Sequence, residues 1–334
     1  IKEKDLNRIV VAACTPKTHE PLFQETLKNA GLNKYLFEMT NIRNHNSWVH
    51  KNNPEIATSK AKDLVRMAVA KVALAEPLNE EKINVNDAVM VVGGGLAGMT
   101  AAKSLASQGY ETHIVEKDSR LGGQALKLFK TAQGEDVQAK LSDLIKDVET
   151  NDKITVHTGT ALSGVDGFVG NFKSTLEKDG KPFELEHGIA VLATGARGYE
   201  PDEYGFGKDD RIITTLDLDK MFMDKDARLQ GIKSAVFIQC VGSRQPDRPY
   251  CSRVCCTHSI DNALELKKKN PDMDVFILYR DIRTYGEREL LYKKAREMGV
   301  IFIRYDRDKK PEVSLEQESV KISLKDHVLN RTVT

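Results

Sequence analysis

One turn constrains this chain more than any other feature. The apolar run Ala88–Val92 (AVMVV) leads into Gly93-Gly94-Gly95-Leu96-Ala97-Gly98, and helical spacing continues to about Ser107. Gly109 stops that helix, and Thr112–Lys117 (THIVEK) reads as the next strand. A buried strand, a glycine turn, a helix and a second strand within about thirty residues make the βαβ unit of a dinucleotide-binding fold. Gly93 permits the tight turn, and Gly95 lets backbone N–H groups approach a pyrophosphate. Gly98 brings helix and strand together and aims the helix N-terminus at negative charge. Glu116 ends the second strand, placed to accept from ribose hydroxyls and to repel a 2′-phosphate. Leu96, Ala97 and Lys117 complete the candidate contacts on this side of the ligand. The competing reading is a turn with a structural role alone.

Which dinucleotide binds is decided further along. Leu121-Gly122-Gly123-Gln124 lies just past Glu116, and such a glycine pair lets the chain run against a flavin cofactor. Ala193-Thr194-Gly195 follows the apolar strand Gly188–Leu192 and reads as the return of the fold to the flavin. Taken singly these are ordinary loops. Together with the first turn they point to FAD.

Four of the five cysteines, Cys240, Cys251, Cys255 and Cys256, fall within one short segment. A secreted disulfide scaffold spreads its cysteines through a short chain, whereas one cluster in a large α/β sequence reads as reduced thiols gathered for a metal. That favours a cytoplasmic setting. Four soft thiolates suit zinc or an iron–sulfur cluster. Adjacent Cys255 and Cys256 pinch a single tetrahedral ion poorly but reach two irons of a larger cluster. A [4Fe-4S] cluster is therefore expected, with zinc and plain thiols or disulfides as the alternatives. Arg244, Arg248 and Arg253 stand nearby to offset negative charge.

The place of those cysteines carries more weight than their number. A third unit begins near Lys233, with strands at 235–239, 275–280 and 300–305 and helices at 260–269 and 287–298, another βαβαβ pattern. Its first strand-to-helix turn reads Gln239-Cys240-Val241-Gly242-Ser243-Arg244, without the glycine fingerprint of a nicotinamide site. Metal ligands stand where that site belongs. The fold expected is α/β, with two Rossmann-like domains of the thioredoxin-reductase kind after an N-terminal α/β segment. Boundaries are set at 1–80, 85–230 (with a β-meander insertion over 154–186) and 231–334. In the first segment a strand at 8–14, a helix at 18–31, a strand at 35–39 and a helix at 54–76 are expected. On that last helix Ile56, Leu64, Val65, Ala68, Val69 and Val72 form one core-facing stripe. A hairpin is expected over 320–334.

Bulk properties exclude some partners. With 50 basic against 49 acidic side chains the formal charge is +1, which gives no reason to expect nucleic acid. No apolar run approaches the roughly 20 residues of a membrane helix, and no signal-peptide pattern is visible.

The segments Val10–Phe23 (VVAACTPKTHEPLF), Asn46–His50 (NSWVH), Gly93–Met99 (GGGLAGM), Leu121–Gln124 and Gln239–Arg244 with Cys251–Cys256 resemble the HdrA family of heterodisulfide reductase over nearly the whole chain. The resemblance implies a thioredoxin-reductase-like fold, bound FAD and a [4Fe-4S] cluster on Cys240, Cys251, Cys255 and Cys256. It also implies service as the flavin electron hub of a larger complex, with cluster-bearing subunits and ferredoxin or hydrogenase-type donors as partners. Methanogen members bifurcate electrons. They carry a lysine near the flavin where this chain has Asp261, so electron relay is the first expectation here, with flavin-based electron bifurcation as the further alternative. Members often have Cys where Asn46 stands, and their CxxCxxC modules have no counterpart in this sequence. The chain opens on Ile1 rather than Met, and no last FAD-binding stretch follows Thr334, so it reads as a fragment. The rival function is an NAD(P)H-dependent FAD disulfide reductase, against which the missing second fingerprint and the lack of a CxxC pair count. His258, near the cysteine pair, is a candidate hydrogen-bond donor to a cluster sulfur, and Cys14 a core cysteine or a further ligand.

Overall fold

In a computed structural model, residues 1–334 are all described, and they separate into two compact units, Ile1–Ile83 and Asn84–Thr334. The first contains β1 (Ile9–Ala13), α1 (Pro16–Asn29), β2 (Phe37–Asn41) and α2 (Pro54–Ala73), with β1 and β2 parallel. Both helices open on proline, whose fixed φ suits the first turn and whose missing N–H is no loss there. Leu27, Phe37 and Met39 make a small core. Of the stripe expected on α2, Ala68 and Val72 are buried, whereas Ile56 and Val69 are exposed. Two strands are too narrow to cover so broad a helix face.

The second unit begins with β3 (Val89–Val92), α3 (Leu96–Ser107), β4 (Thr112–Val115), α4 (Val137–Glu149) and β5 (Ile154–His157). A meander of β6 (Thr160–Phe168), β7 (Asn171–Lys178) and β8 (Lys181–His187) follows, and then β9 (Ile189–Leu192). β5, β4, β3 and β9 lie in that order in one parallel sheet. Met99, Ala102 and Ala106 of α3 pack with Val89, Val91 and Ile114 under it. Two expectations need correction. Ile154–His157 belongs to the parallel sheet rather than to the meander. The strand ending at Leu192 is not buried, since Ile189 is 55% and Leu192 76% exposed. β9 pairs on one side only, with β3, so an apolar run there marks an edge rather than an interior.

The chain continues through α5 (Thr215–Met223) and α6 (Arg228–Gly231) to β10 (Ser234–Ile238), α7 (Cys255–Lys269), β11 (Asp274–Tyr279), α8 (Glu289–Glu297) and β12 (Ile301–Arg304). β10, β11 and β12 form a parallel sheet in chain order. Ile260, Ala263 and Leu264 of α7 pack on Val275 and Ile277 of that sheet. α7 starts at the cysteine pair, five residues before the expected Ile260, because Cys255–Ser259 supplies a first turn without apolar periodicity. The C-terminal hairpin supplies two strands of a three-stranded antiparallel sheet, β13 (Glu312–Leu315), β14 (Val320–Asp326) and β15 (Arg331–Val333).

Three histidines lie between the parallel sheet and the meander. His113 Nδ1 is 3.3 Å from His157 Nε2, and His187 Nε2 is 2.8 Å from Ser174 Oγ. Burial pushes all three below the ordinary histidine value of 6.5. A depressed folded-state pKa means the unfolded chain takes up the proton first. Stability is then fully present above the unfolded value and is lost as pH falls through the folded one. The melting temperature is expected to drop between about pH 7 and pH 5, and a His113→Leu/His157→Leu variant to show a shallower drop. Parallel melting curves against pH would reveal equal slopes if the pair plays no part.

Candidate functional site

The order β5-β4-β3-β9 places successive crossovers on opposite sides of β3, so the chain diverges between the C-terminal ends of β3 and β9. Parallel sheets bind ligands at such a crevice. Gly93 has φ +111°, and a Cβ there would meet the Ala193 carbonyl oxygen at 2.3 Å. A Cβ on Gly98 would meet the Gly93 oxygen at 1.9 Å, so these two glycines are required by packing. Gly95 differs: the nearest atom to a Cβ there is Gly123 Cα at 4.0 Å, and the space is open. α3 starts after Gly95 with no side-chain cap and no acidic residue in its first turn, leaving exposed Leu96 and Ala97 with free N–H groups.

The flanking motifs close on this turn. Glu116 is buried, its Oε2 accepting from the Gly94 N–H at 2.7 Å and its Oε1 from the Asp118 N–H at 2.8 Å. The carboxylate thus braces the loop, and each oxygen retains a further lone pair. Gly122 donates to the Gly94 carbonyl at 2.9 Å, and Gly122 and Gly123 both need positive φ, +117° and +53°. Gln124 Nε2 donates to the Ala196 carbonyl at 2.9 Å, while its Oε1 is buried without a partner. Ala193 N donates to Val92 O at 2.8 Å, and Thr194 and Gly195 continue along the open rim. Lys117 is exposed beside them. An uncapped helix, an open glycine cradle and an unsatisfied buried amide oxygen fit a dinucleotide.

The cysteines lie at the corresponding end of the second sheet. Cys240 follows β10 with φ +62°, Cys251 sits in the loop, and Cys255 and Cys256 form the first turn of α7. All five cysteines of the chain are free thiols. Cys255 accepts a hydrogen bond from Cys256, which holds its pKa down to about 6 against the cost of burial; the same bond and burial push Cys256 up. Burial raises Cys240, opposed by Arg244, whose Nη1 lies 3.8 Å from its sulfur, and by Arg280. Cys240, Cys255 and Cys256 therefore share one electrostatic neighbourhood. Cys251 Sγ accepts from the Arg253 N–H at 3.4 Å. No three His, Cys, Asp or Glu side chains converge to hold a single metal ion.

A buried carboxylate that sequence reasoning overlooked joins the two sites. Asp219 on α5 accepts at Oδ2 from the Phe129 N–H at 3.1 Å and stands 3.0 Å from His258 Nε2. Phe129 lies five residues beyond Gln124, and His258 belongs to the cysteine helix. His258 therefore turns this nitrogen to Asp219 rather than to a sulfur. Lys130 reaches Glu265 of the same helix at 3.5 Å. Asp261, on this face, is raised to about 6 by burial and by Glu265. A raised carboxyl favours the fold below its unfolded value and costs stability as pH rises through about 6. Asp261→Asn is thus expected to stabilise the protein at pH 8 by about 1–2 kcal/mol, after discounting for solvent at a partly open site, and not below pH 4. Denaturant melts at the two pH values check it. The overlooked signal for α5 was its capping box, in which Thr214 Oγ1 accepts from the Asp217 N–H at 3.2 Å.

The profile of the pyridine nucleotide-disulphide oxidoreductase family matches residues 87–238. Turn, sheet order and profile together define an FAD-type oxidoreductase domain. The HdrA protein of the H(2):CoB-CoM heterodisulfide,ferredoxin reductase of Methanothermobacter marburgensis is 37% identical, with 91% of this chain and 60% of the relative aligned. An HdrA-type iron-sulfur protein of the CoB--CoM heterodisulfide reductase of Methanopyrus kandleri is 34% identical over the same shares. Among solved structures, Lactococcus lactis thioredoxin reductase is similar at 17% identity and a TM-score of 0.49, covering 74% of this chain and 73% of that one. The chain is thus similar over 91% of its length to HdrA proteins of heterodisulfide reductase, and it spans 60% of the length of these curated relatives. No helix is long and apolar enough to cross a membrane.

Proposed function

We propose that this chain is a flavin and iron–sulfur electron-transfer module of a heterodisulfide-reductase-type oxidoreductase, organised as 1–80, an FAD domain at 85–230 and a cluster domain at 231–334. The observation that carries this reading is the second sheet. Its first strand-to-helix turn presents Cys240, Cys255 and Cys256 where a nicotinamide site has glycines. FAD, when bound, exchanges electrons singly or in pairs, and a [4Fe-4S] cluster exchanges them singly.

The residues divide the work. Gly95, Leu96 and Ala97 offer amides to the diphosphate, Glu116 accepts from a ribose, and Gly122, Gly123, Gln124, Ala193, Thr194 and Gly195 flank the flavin path, with Lys117 at the ribose end. Cys240, Cys251, Cys255 and Cys256 are the cluster ligands. The helix N-terminus, Arg244 and Arg280 balance the cluster's negative charge. The Asp219–His258 bridge holds the cysteine helix at a fixed offset from the flavin loop. Other subunits of such a complex, and ferredoxin or hydrogenase-type donors, are the partners we assign.

The lowered Cys255 pKa favours a second reading, thiol chemistry driven by NAD(P)H. Anaerobic stopped-flow absorption separates the two. Electron relay predicts flavin reduction by a low-potential one-electron donor and none by NADH or NADPH. Rapid bleaching by either nucleotide would establish the disulfide-reductase reading instead.

A further inference from the structure

Between Cys240 and Cys251 the chain turns back on itself. The Arg244 N–H donates to the Tyr250 carbonyl at 3.1 Å, and Gln245 and Arg248 exchange backbone bonds at 3.0 and 3.1 Å. Cys240, Gly242 and Arg244 all take positive φ, +62°, +63° and +56°. Left-handed backbone at residues that carry side chains is strained, and it persists only where the surroundings hold it. Tyr199 supplies such a hold. Its ring covers Gly242, where an added Cβ would meet three of its carbons within 2.5 Å, so only glycine admits it there. The Arg248 guanidinium lies over the same ring, 4.6 Å from its centroid. Two points of the cysteine loop thus close on one aromatic side chain.

That side chain comes from the flavin rim. Tyr199 stands four residues beyond Gly195, and Ala196 between them is fixed by the Gln124 amide at 2.9 Å. Gly198 rests against α5, since a Cβ there would meet Leu216 Cδ1 at 3.2 Å. The ring is 43% exposed and packs on none of the apolar cores. Core burial therefore does not account for it. We propose that Tyr199 is a positioning residue that fastens the loop 240–251 to the flavin rim, and so fixes the separation between the flavin and the cysteine-bound cluster.

The consequence rests on the electron-transfer reading, whereas the fastening itself needs no metal. The transfer served moves one electron: the donor carrier is oxidised by one, the acceptor carrier is reduced by one, and no bond is made or broken between them. Its rate falls steeply with separation. A loop free to swing would lengthen the gap without losing a single ligand. Tyr199 acts through position alone and touches no cysteine.

Two measurements on the intact holoprotein test it. Anaerobic stopped-flow absorption after mixing with a viologen radical reads electron exchange between flavin and cluster. Amide hydrogen exchange over 240–251 reads the fastening. Tyr199→Ala is expected to slow the first and speed the second at least about tenfold each, with flavin and iron contents unchanged. Tyr199→Phe keeps the ring and is expected to match the unaltered protein in both. Should Tyr199→Ala fail to fold, Arg248→Ala, which frees the ring on its exposed side, is expected to show the same two changes at smaller size. Either reading unchanged in Tyr199→Ala, or a Phe variant as impaired as the Ala variant, overturns the proposal and leaves the electron-transfer reading standing. An unaltered protein without iron sinks that reading instead, and loop exchange in the flavin-loaded protein then decides the fastening alone.

Discussion

Replacing Cys255 and Cys256 together by serine is expected to remove about four iron atoms and as many sulfides per chain from the intact protein, with its flavin retained. Serine nearly matches cysteine in volume, so the buried first turn of α7 should still form. A hydroxyl is a hard, weakly acidic donor and a poor ligand for iron in a cluster. Cys255 is already held near the thiolate by its neighbour, and the pair sits at a helix N-terminus with no acidic residue in the first turn. Both features favour anionic sulfur. Iron and acid-labile sulfide assays beside flavin absorption give the readout. Unchanged iron in the double variant contradicts the ligand assignment, while joint loss of flavin and helicity would indicate misfolding instead.

The second large effect concerns the glycine cradle. Gly95→Val is expected to weaken FAD binding by about 3 kcal/mol or more, over 100-fold, with little change in thermal stability of the flavin-free protein. The added side chain enters open space, with Gly123 Cα its nearest neighbour at 4.0 Å. It would occupy the volume through which a diphosphate reaches the Leu96 and Ala97 amides. Gly98→Val makes the contrasting control. Its Cβ falls 1.9 Å from the Gly93 oxygen, so that substitution should cost the fold itself. Equal flavin affinity in Gly95→Val and the unaltered protein, measured by fluorescence titration, would remove the cradle from the cofactor site.

Much of this was legible because the chemistry is local in sequence. Strand, turn, helix and strand from Val89 to Val115 lie within one continuous segment, and the periodicity that marks them also places Gly93, Gly95 and Gly98. The convergence of Leu121–Gln124 and Ala193–Gly195 on that turn was readable as motif, but its means were not. Nothing in a sequence announces that the Gly94 N–H will take Glu116 Oε2, or that Gln124 will reach Ala196. Burial was misread where a continuous apolar run stood on a sheet edge, at Ile189–Leu192, since such a run says nothing of how many neighbours the strand has. Asp219 was missed for a different reason. Its partners Phe129 and His258 lie far from it along the chain, and only tertiary packing makes a buried carboxylate of an ordinary helical aspartate.

Anomalous diffraction at the iron edge, from anaerobic crystals of the intact protein, addresses the central claim most directly. The account predicts one compact iron peak bonded to the sulfurs of Cys240, Cys251, Cys255 and Cys256, at the C-terminal end of β10. A map with no iron there, or with those sulfurs joined in pairs, would contradict it.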